Sequence, residues 1–284
     1  MNLYYTIDFE EDFGSPKEER TYYCHKKSKD LIAFLKDHDV QTTLFVTGEI
    51  IEKNLSLLEP FLEEPNFFDI QLHSYNHDNV FDSDSLKLNN LKKGMEVFEK
   101  FFGSVPRLYR APFGIISQKE IEFLNHAGVN FGSNFFPSYF PFRFNHLHLP
   151  KTAFRIQNTT FTEIPFSVSS KFRIPLSLSY IQLLGWHSYK YLFGLNPTVN
   201  INFNSHLHDI FPKEAYRLKK MSFSSKLAYF RSSRNNYAFK VFEKIIQFYI
   251  ENRFKFIFLK EFTISLEKAE LPILSFDEIF KNTK

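Results

Sequence analysis

Cysteine is almost absent from this chain of 284 residues, in which Cys24 is the only one. A single thiol excludes an internal disulfide framework and a zinc site built from cysteines. No window of 18 or more residues is free of polar interruption, so we expect no transmembrane helix. The best candidate, 174–195, contains Gln182, His187 and Lys190 and is interpreted as a packed helix, with a membrane-interface segment as the alternative.

A strong excess of charge of one sign is also missing, since the formal net charge is +3. No global field therefore marks the chain as a nucleic-acid binder, and we expect no nucleic-acid partner. The chain reaches Asp8 without the apolar run of a secretory signal, so we expect a cytoplasmic location. Phenylalanine is abundant, with 37 residues. We interpret most of these rings as core, and a carbohydrate-stacking surface is the alternative for some.

Strand-like and helix-like segments alternate along the chain. The predicted strands are 3–9, 42–47, 67–72, 105–109, 129–133, 199–203 and 254–259, and the predicted helices are 28–38, 50–62, 85–102, 118–127 and 237–252. Repeated β-then-α units indicate parallel strands with crossover helices, in an open sheet or a barrel. The pattern weakens between 134 and about 200. No linker interrupts the chain, so 1–284 is predicted to form one α/β domain.

Two polar clusters directly follow predicted strands, where α/β folds place their sites. Asp8 and Glu10 are two apart on a strand and point to the same side. Two carboxylates on one side repel each other unless a cation or a shared proton relieves them. His73 and His77 are four apart, and on a helical turn they would suit chelation of one ion. The alternatives are a solvated acidic loop and a polar surface turn.

A third cluster ends the predicted strand at 105–109. Pro112 lacks a backbone N–H and Gly114 permits a turn, so the strand stops here. Arg110 is then placed at the strand mouth, where its planar guanidinium could hold a carboxylate. The alternative is a loop arginine in an ordinary salt bridge.

A fourth cluster follows the predicted strand at 199–203. His206 and His208 would share a face, and Asp209 could orient one of them. The alternative is a pair of exposed histidines in a turn. Each of the four clusters is weak evidence by itself, and their order along the chain carries more information than any one of them.

In that order the motifs read D-x-E, H-S-x-x-H, R-x-P-F-G and a late histidine-bearing segment. This combination resembles the polysaccharide deacetylase family, also called the NodB-homology or carbohydrate esterase 4 group, in the branch whose first motif is D-x-E-D. The segments 43–46, 131–137 and 162–165 are also similar to family segments. The resemblance implies a distorted or incomplete (β/α) barrel. It also implies metal-dependent hydrolysis of the N-acyl group of an amino sugar in a polysaccharide, nucleotide-sugar or lipid-linked precursor.

The resemblance assigns a role to each matching residue. Asp8 matches the catalytic base, and Arg110 matches the arginine that orients it. The metal ligands it implies are Glu10, His73 and His77. Two histidines and one carboxylate suit Zn²⁺, with Co²⁺, Ni²⁺ or Fe²⁺ as alternatives.

The remaining roles are less fully specified. The general acid is His206 on our preferred alignment and His208 on the alternative one. Pro112 and Phe113 are the predicted substrate-binding residues. The aspartate motif that the family usually carries has no clear match, because residues 132–134 read Gly-Ser-Asn where an aspartate is expected.

Several alternatives stay open. Glu11 and Asp12 are adjacent candidates for the metal carboxylate. The same fold could carry a deformylase, a hydrolase of cyclic amides, or a catalytically inactive carbohydrate-binding protein. Residues 213–240 hold eight Lys or Arg and one Glu, within a predicted basic helical segment at 213–252. This segment is interpreted as a solvated face, with binding to substrate phosphates or anionic membrane lipid as the alternative.

Overall fold

Parallel strands, buried along most of their length, form the centre of the molecule. The computed structural model describes residues 1–281 apart from 14, 16, 79, 80, 82, 141–143, 195–199 and 212–236. The strands are β1 (Asn2–Phe9), β2 (Thr42–Val46), β3 (Phe68–Leu72), β4 (Leu108–Tyr109), β5 (Phe131–Gly132), β6 (Tyr139–Phe140), β7 (Phe144–Asn145), β8 (Phe154–Ile156), β9 (Thr162–Glu163), β10 (Asn200–His206), β11 (Lys255–Phe256) and β12 (Ile273–Leu274).

The order of the strands in the main sheet is β10-β1-β2-β3-β4-β5-β9-β8-β12. All neighbours pair in parallel except β8 and β9, and β11 pairs with the beginning of β1. Beyond β9 the chain turns back toward the first strand of this order. The Ser167 amide donates to the Asn202 carbonyl of β10 at 3.1 Å, and the Asn202 amide donates to Ser167 Oγ at 2.9 Å. The sheet therefore curls into a distorted (β/α) barrel, which confirms the predicted fold class.

The helices connect the parallel strands and cover them. They are α1 (Ser28–Asp37), α2 (Gly48–Lys53), α3 (Glu59–Leu62), α4 (Asp84–Phe102), α5 (Gln118–His126), α6 (Leu178–Leu184), α7 (Trp186–Gly194), α8 (Leu207–Ile210), α9 (Tyr237–Glu251), α10 (Leu259–Leu266) and α11 (Phe276–Ile279). The longer ones bury an apolar stripe, as amphipathic surface helices do. In α9 the buried residues are Ala238, Val241, Phe242, Ile245, Ile246 and Tyr249.

Several predicted boundaries were wrong for local reasons. The helix predicted at 50–62 is divided into α2, a 3₁₀ turn (Leu55–Leu57) and α3, and Pro60 lies in the first turn of α3, where proline is tolerated. The strand predicted at 105–109 is reduced to β4, since Pro106 has no amide to donate. The apolar stretch 174–195 forms α6 and α7, which are separated at Gly185, a glycine with a φ of 89°.

The phenylalanine interpretation is confirmed for much of the core. Phe9, Phe45, Phe154, Phe161 and Phe203 are all fully buried. Each buried ring of this size contributes roughly 1.5–3 kcal/mol relative to an exposed one. Among the helices that the structure describes, none combines the length and apolar character that a membrane crossing requires.

Helix α4 lies very close to the loop that follows β3. A Cβ added to Gly94 would lie 2.6 Å from the Ser74 carbonyl carbon and 2.7 Å from the Tyr75 amide nitrogen. Both atoms belong to backbone, so neither can rotate away. Ser74 itself has a φ of 59°, which a non-glycine residue adopts only when its surroundings hold it there.

We expect Gly94→Ala to lower the free energy of unfolding by about 1–3 kcal/mol, because overpacking forces the helix and the loop apart. Denaturant unfolding would measure this. The control is Glu96→Ala in the same helix, an exposed position where the change should stay within about 0.5 kcal/mol. A Gly94→Ala protein as stable as the control would contradict the close approach.

Candidate metal centre and active site

The polar residues of the motifs lie together at the carboxyl ends of the parallel strands. Asp8 is near the end of β1 and pairs in register with His206 at the end of β10. His73 directly follows β3, and Arg110 directly follows β4. Carboxyl ends of parallel strands meet at one edge of a sheet or barrel, which brings together residues that are far apart in the sequence.

Glu10, His73 and His77 form a cluster of three ligand atoms. Glu10 Oε2 lies 3.2 Å from His73 Nε2 and 2.8 Å from His77 Nε2, and the two Nε2 atoms are 3.2 Å apart. Zinc bonds of about 2.0–2.1 Å in a tetrahedron place neighbouring ligand atoms about 3.3–3.4 Å apart. The triangle is therefore close to the size that a single divalent ion needs.

The other ring nitrogen of each histidine has a partner that can only accept. His73 Nδ1 lies 2.8 Å from the Arg110 backbone carbonyl, and His77 Nδ1 lies 3.1 Å from Glu11 Oε1. Both Nδ1 atoms can therefore donate a hydrogen, which would leave the Nε2 atoms to bind an ion held at the centre of the cluster. Partners of this kind set the tautomer and the ring orientation of histidines that bind metals.

Arg110 is buried and holds Asp8. Its Nη1 donates to Asp8 Oδ1 at 2.6 Å, and it also donates to Thr6 Oγ1 and to Asn204 Oδ1, each at 3.0 Å. Its Nε and Nη2 donate to the carbonyl and hydroxyl of Ser133 at 3.1 and 3.0 Å. Burial by itself would raise the pKa of Asp8, but the Arg110 charge, followed by His73 and His206, holds it below its ordinary value. Asp8 is therefore ionised at neutral pH.

Aromatic rings cover both sides of the guanidinium of Arg110. Its central carbon is 3.9 Å from the centroid of Phe45 and 4.4 Å from that of Phe166. A cation over the face of an aromatic ring is attracted by the ring quadrupole, more strongly when water is excluded. The rings also prevent the side chain from swinging away from Asp8.

His206 lies between two carboxylates. Its Nδ1 is 2.8 Å from Asp209 Oδ2, and its Nε2 is 3.5 Å from Asp8 Oδ2. Burial alone would lower the pKa of His206, but Asp209, with Glu10 and Asp8, raises it to about 9. His208 stacks on the ring of His206 with centroids 4.7 Å apart, and burial followed by the His206 charge lowers its pKa.

Asn134 stands where the missing aspartate motif was expected, and its side chain binds the backbone and Glu163 instead of a histidine. Asn134 Oδ1 accepts from the Ala111 amide at 2.8 Å, and its Nδ2 donates to Glu163 Oε2 at 2.8 Å. Glu163 also accepts from the Phe135 amide at 2.9 Å. Burial raises the pKa of Glu163 to about 7. This network supports the backbone next to Arg110, while the carboxylate at Nδ1 of His206 is Asp209.

The acidic neighbours of Glu10 lie in different environments. Asp12 accepts from the amides of Tyr23 and Cys24 at 2.6 and 3.0 Å, so it organises a loop and is not part of the ligand triangle. Glu11 contacts His77 Nδ1, on the side of the ring away from the ligand cluster. The structure thus places Glu10 alone of the three carboxylates between the Nε2 atoms.

Of the two predicted substrate-binding residues, Phe113 alone offers an exposed surface. Pro112 is buried in the 3₁₀ turn Pro112–Gly114. Phe113 has a φ of 55°, is 42% exposed and lies 5.4 Å from the ring of His77. The ring of Phe81 lies 5.7 Å from the ring of Phe113 and is 70% exposed. Phe113 therefore borders the cluster with an exposed ring, and Phe81 extends this aromatic surface.

Some residues of the site were not predicted. Thr6, Ser133 and Asn204 bind Arg110, and Arg20 contacts Glu11. Only Thr6 carried a signal, since it lies two residues before Asp8 and must share its face of the strand. In the basic segment, positions 212–236 are outside the described residues, so its predicted contact with phosphates or lipid stays a prediction.

Comparison with known proteins supports the motif-based resemblance. A family model described as Polysaccharide deacetylase matches residues 19–132, which confirms the resemblance over that part of the chain. A search of curated proteins found no match.

Solved structures resemble the whole fold at low sequence identity. A Pseudomonas aeruginosa protein named as a polysaccharide deacetylase is 10% identical, with a TM-score of 0.62 over 95% of this chain and 91% of that one. The Puue allantoinase is 8% identical, with a TM-score of 0.62 and the same coverage. The peptidoglycan deacetylase PdaC from Bacillus subtilis is 12% identical, with a TM-score of 0.51 over 94% of this chain and 92% of that one. At these identities the likeness shows the fold alone.

We expect Arg110→Met to lower the free energy of unfolding by roughly 3–5 kcal/mol, because it leaves the buried Asp8 carboxylate without the guanidinium that offsets its charge. Adding Asp8→Asn to this variant should restore part of the loss, since the unpaired charge is then gone. Guanidinium unfolding at pH 7 would measure both proteins. Equal stability of the single and double variants would mean that the Asp8 charge is not what Arg110 offsets.

Proposed function

We propose that this protein is a metal-dependent amide hydrolase that removes the N-acyl group of an amino sugar. The observation that carries the proposal is the convergence of Glu10, His73 and His77 next to the Asp8–Arg110 ion pair. The motif resemblance and the match over residues 19–132 support the same reaction class. The substrate would be an N-acetylated sugar of the polysaccharide type.

Glu10, His73 and His77 would hold the ion, and their donor set suits Zn²⁺, with Co²⁺, Ni²⁺ or Fe²⁺ as alternatives. A bound divalent ion of this kind supplies Lewis acidity and lowers the pKa of water from 15.7 to about 7 in favourable cases. Three protein ligands leave coordination positions open, as catalytic sites require.

Asp8 would act as the general base. It is ionised, buried and fixed by Arg110, so it can take a proton from the attacking water without first losing one itself. Its second oxygen, Oδ2, accepts from Asn204 Nδ2 at 3.2 Å and lies 3.5 Å from His206. The base and the predicted acid thus lie on the same side of the site.

His206 would act as the general acid. An amine nitrogen leaves poorly without a proton, and His206 carries one at neutral pH because its pKa is raised to about 9. Asp209 holds Nδ1, so Nε2 is the nitrogen free to deliver the proton. The contact between His206 and Asp8 favours this histidine over His208 for the role.

The exposed rings of Phe113 and Phe81 would border the sugar. Aromatic faces carry partial negative charge and attract the C–H groups on the apolar face of a pyranose. The position of Phe113 beside His77, with Phe81 next to Phe113, would hold the sugar ring next to the ligand cluster.

Two activities on the same fold are separated from this proposal by their products. A deformylase would release formate, and a cyclic amide hydrolase would open a ring without releasing an acid. Because the fold is similar to that of the allantoinase, hydrolysis of a cyclic amide is the alternative to test. Mass spectrometry of N-acylated sugars, nucleotide-sugars and lipid-linked sugars would decide, with loss of an acetyl mass expected.

We expect Asp8→Asn to lower kcat by about 10²–10⁴-fold while the protein still binds its metal, because only the proton acceptor is removed. His73→Ala should lose both activity and metal. Metal content by elemental analysis and turnover on an acetylated sugar would be measured together. Normal metal content and turnover in His73→Ala would overturn the proposal.

The protonated form of His206 is the active one, so we expect kcat to fall as pH rises through about 9. Asp209→Asn should move this fall to lower pH, because it removes the nearest charge that raises the pKa of His206. His208→Ala is the control, and kcat of this variant should still fall as pH rises. A pH–rate profile unchanged by Asp209→Asn would assign the acid to another group.

A further inference from the structure

We propose that Glu11 and Arg20 are positioning residues for the metal ligand His77, with Arg20 acting through Glu11. This inference rests on the proposed metal site and extends it to two residues that would not contact the ion. Neither was assigned this role from the motifs, where Glu11 was a candidate ligand.

The first observation is the contact between Glu11 and His77. Glu11 Oε1 lies 3.1 Å from His77 Nδ1, while Nε2 of the same ring faces Glu10 at 2.8 Å. Glu11 is buried, so this carboxylate is shielded from competing water. A carboxylate that accepts from one imidazole nitrogen makes the other a stronger electron donor and holds the ring plane.

The two ligand histidines are therefore supported differently. His73 donates to a neutral backbone carbonyl, that of Arg110, at 2.8 Å. His77 donates to a charged side chain, which must itself be held in place to be useful. A backbone carbonyl at the end of a buried strand needs no such support, whereas the side chain of a glutamate has several rotamers.

Arg20 provides that support. Its Nη1 donates to the same oxygen, Glu11 Oε1, at 2.5 Å, and its Nη2 donates to Asp78 Oδ2 at 2.8 Å. Its Nε lies 2.6 Å from Glu49 Oε2. The Arg20 side chain is only 8% exposed, so these are interactions of a nearly buried cation.

The three carboxylates come from three different segments at the ends of β1, β2 and β3. Glu11 follows β1, Glu49 lies in the first turn of α2 after β2, and Asp78 follows His77 in the loop after β3. Without Arg20 these like charges, beside Glu10, would repel one another in a region of low dielectric. Arg20 thus keeps Glu11 pointing at His77 and keeps the loop that carries His77 close to it.

The second carboxylate oxygen of Glu11 would not hold the side chain in place if Arg20 were removed. Among the residues that the structure describes, Glu11 Oε2 is buried and has no hydrogen-bond partner. If Arg20 were lost, Glu11 could rotate and give up its contact with His77. Removal of Arg20 and removal of Glu11 would then weaken the site by the same route.

The test is a set of Zn²⁺ dissociation constants measured by competition with a chromogenic chelator. Glu11→Ala should weaken Zn²⁺ binding by about 10–100-fold, the usual effect of losing such a partner. Glu11→Gln keeps an oxygen acceptor and should lose less. Arg20→Ala should weaken binding, and the Glu11→Ala/Arg20→Ala double variant should bind no more weakly than Glu11→Ala.

The matched control is Lys53→Ala. Lys53 Nζ contacts Glu49 Oε1 at 2.9 Å, so this variant removes a cation from one of the three carboxylates, and that carboxylate is not Glu11. Its Zn²⁺ affinity should stay within about twofold of the wild type. Absorption spectra of the Co²⁺-loaded proteins would report whether the ligand geometry changes in the Glu11 and Arg20 variants but not in the control.

The outcomes are separable. A wild-type protein that binds none of Zn²⁺, Co²⁺, Ni²⁺ and Fe²⁺ would overturn the proposed function itself. If the wild type binds Zn²⁺ and Glu11→Ala binds it equally well, only the positioning role fails. Additive losses in the double variant would show that Arg20 acts independently of Glu11. If Arg20→Ala does not fold, Arg20→Lys alone and with Glu11→Ala replaces it in the same comparison.

Discussion

The buried ion pair between Arg110 and Asp8 is the interaction on which the site depends. A guanidinium this deeply buried is stable only when its donors are satisfied, and here they bind residues from β1, β10 and the end of β5. Arg110 thereby connects strands that are separated in the sheet. The same contacts fix the base for the proposed reaction. The interactions that stabilise the barrel interior are therefore also those that keep Asp8 ionised and in position.

Two groups of charged and polar residues surround Glu10. On one side, Arg110 keeps Asp8 ionised, and Asp209 keeps His206 protonated, so a proton acceptor and a proton donor lie 3.5 Å apart. On the other side, Glu11 and the Arg110 carbonyl hold the two histidines with their Nε2 atoms facing Glu10. Charge of both signs is needed at such close range because each buried group would otherwise lose its charged form.

Much of the fold was predictable from local patterns. The alternation of apolar strands and amphipathic helices indicated the parallel arrangement, and long periodic elements such as α4 and α9 were placed to within one residue at each end. Short elements were less predictable. In β4 and α3 a proline decides where pairing or helix formation begins, and the region between 134 and 200 has short strands whose pairing depends on distant partners.

The sequence by itself determined which chemical groups stand at the strand ends: Asp8 and Glu10 on one face, two histidines four apart, and an arginine before a proline turn. Which of these side chains share a face follows from their spacing and from the backbone period of strands and turns. The tertiary structure alone decided partners such as Asn204 on Asp8 and Arg20 on Glu11, and it decided that Asp209 orients His206 rather than His208. Asn204 and Asp8 are far apart along the chain and meet through strand register, and Arg20 reaches Glu11 through the packing of a loop. No local pattern encodes either contact.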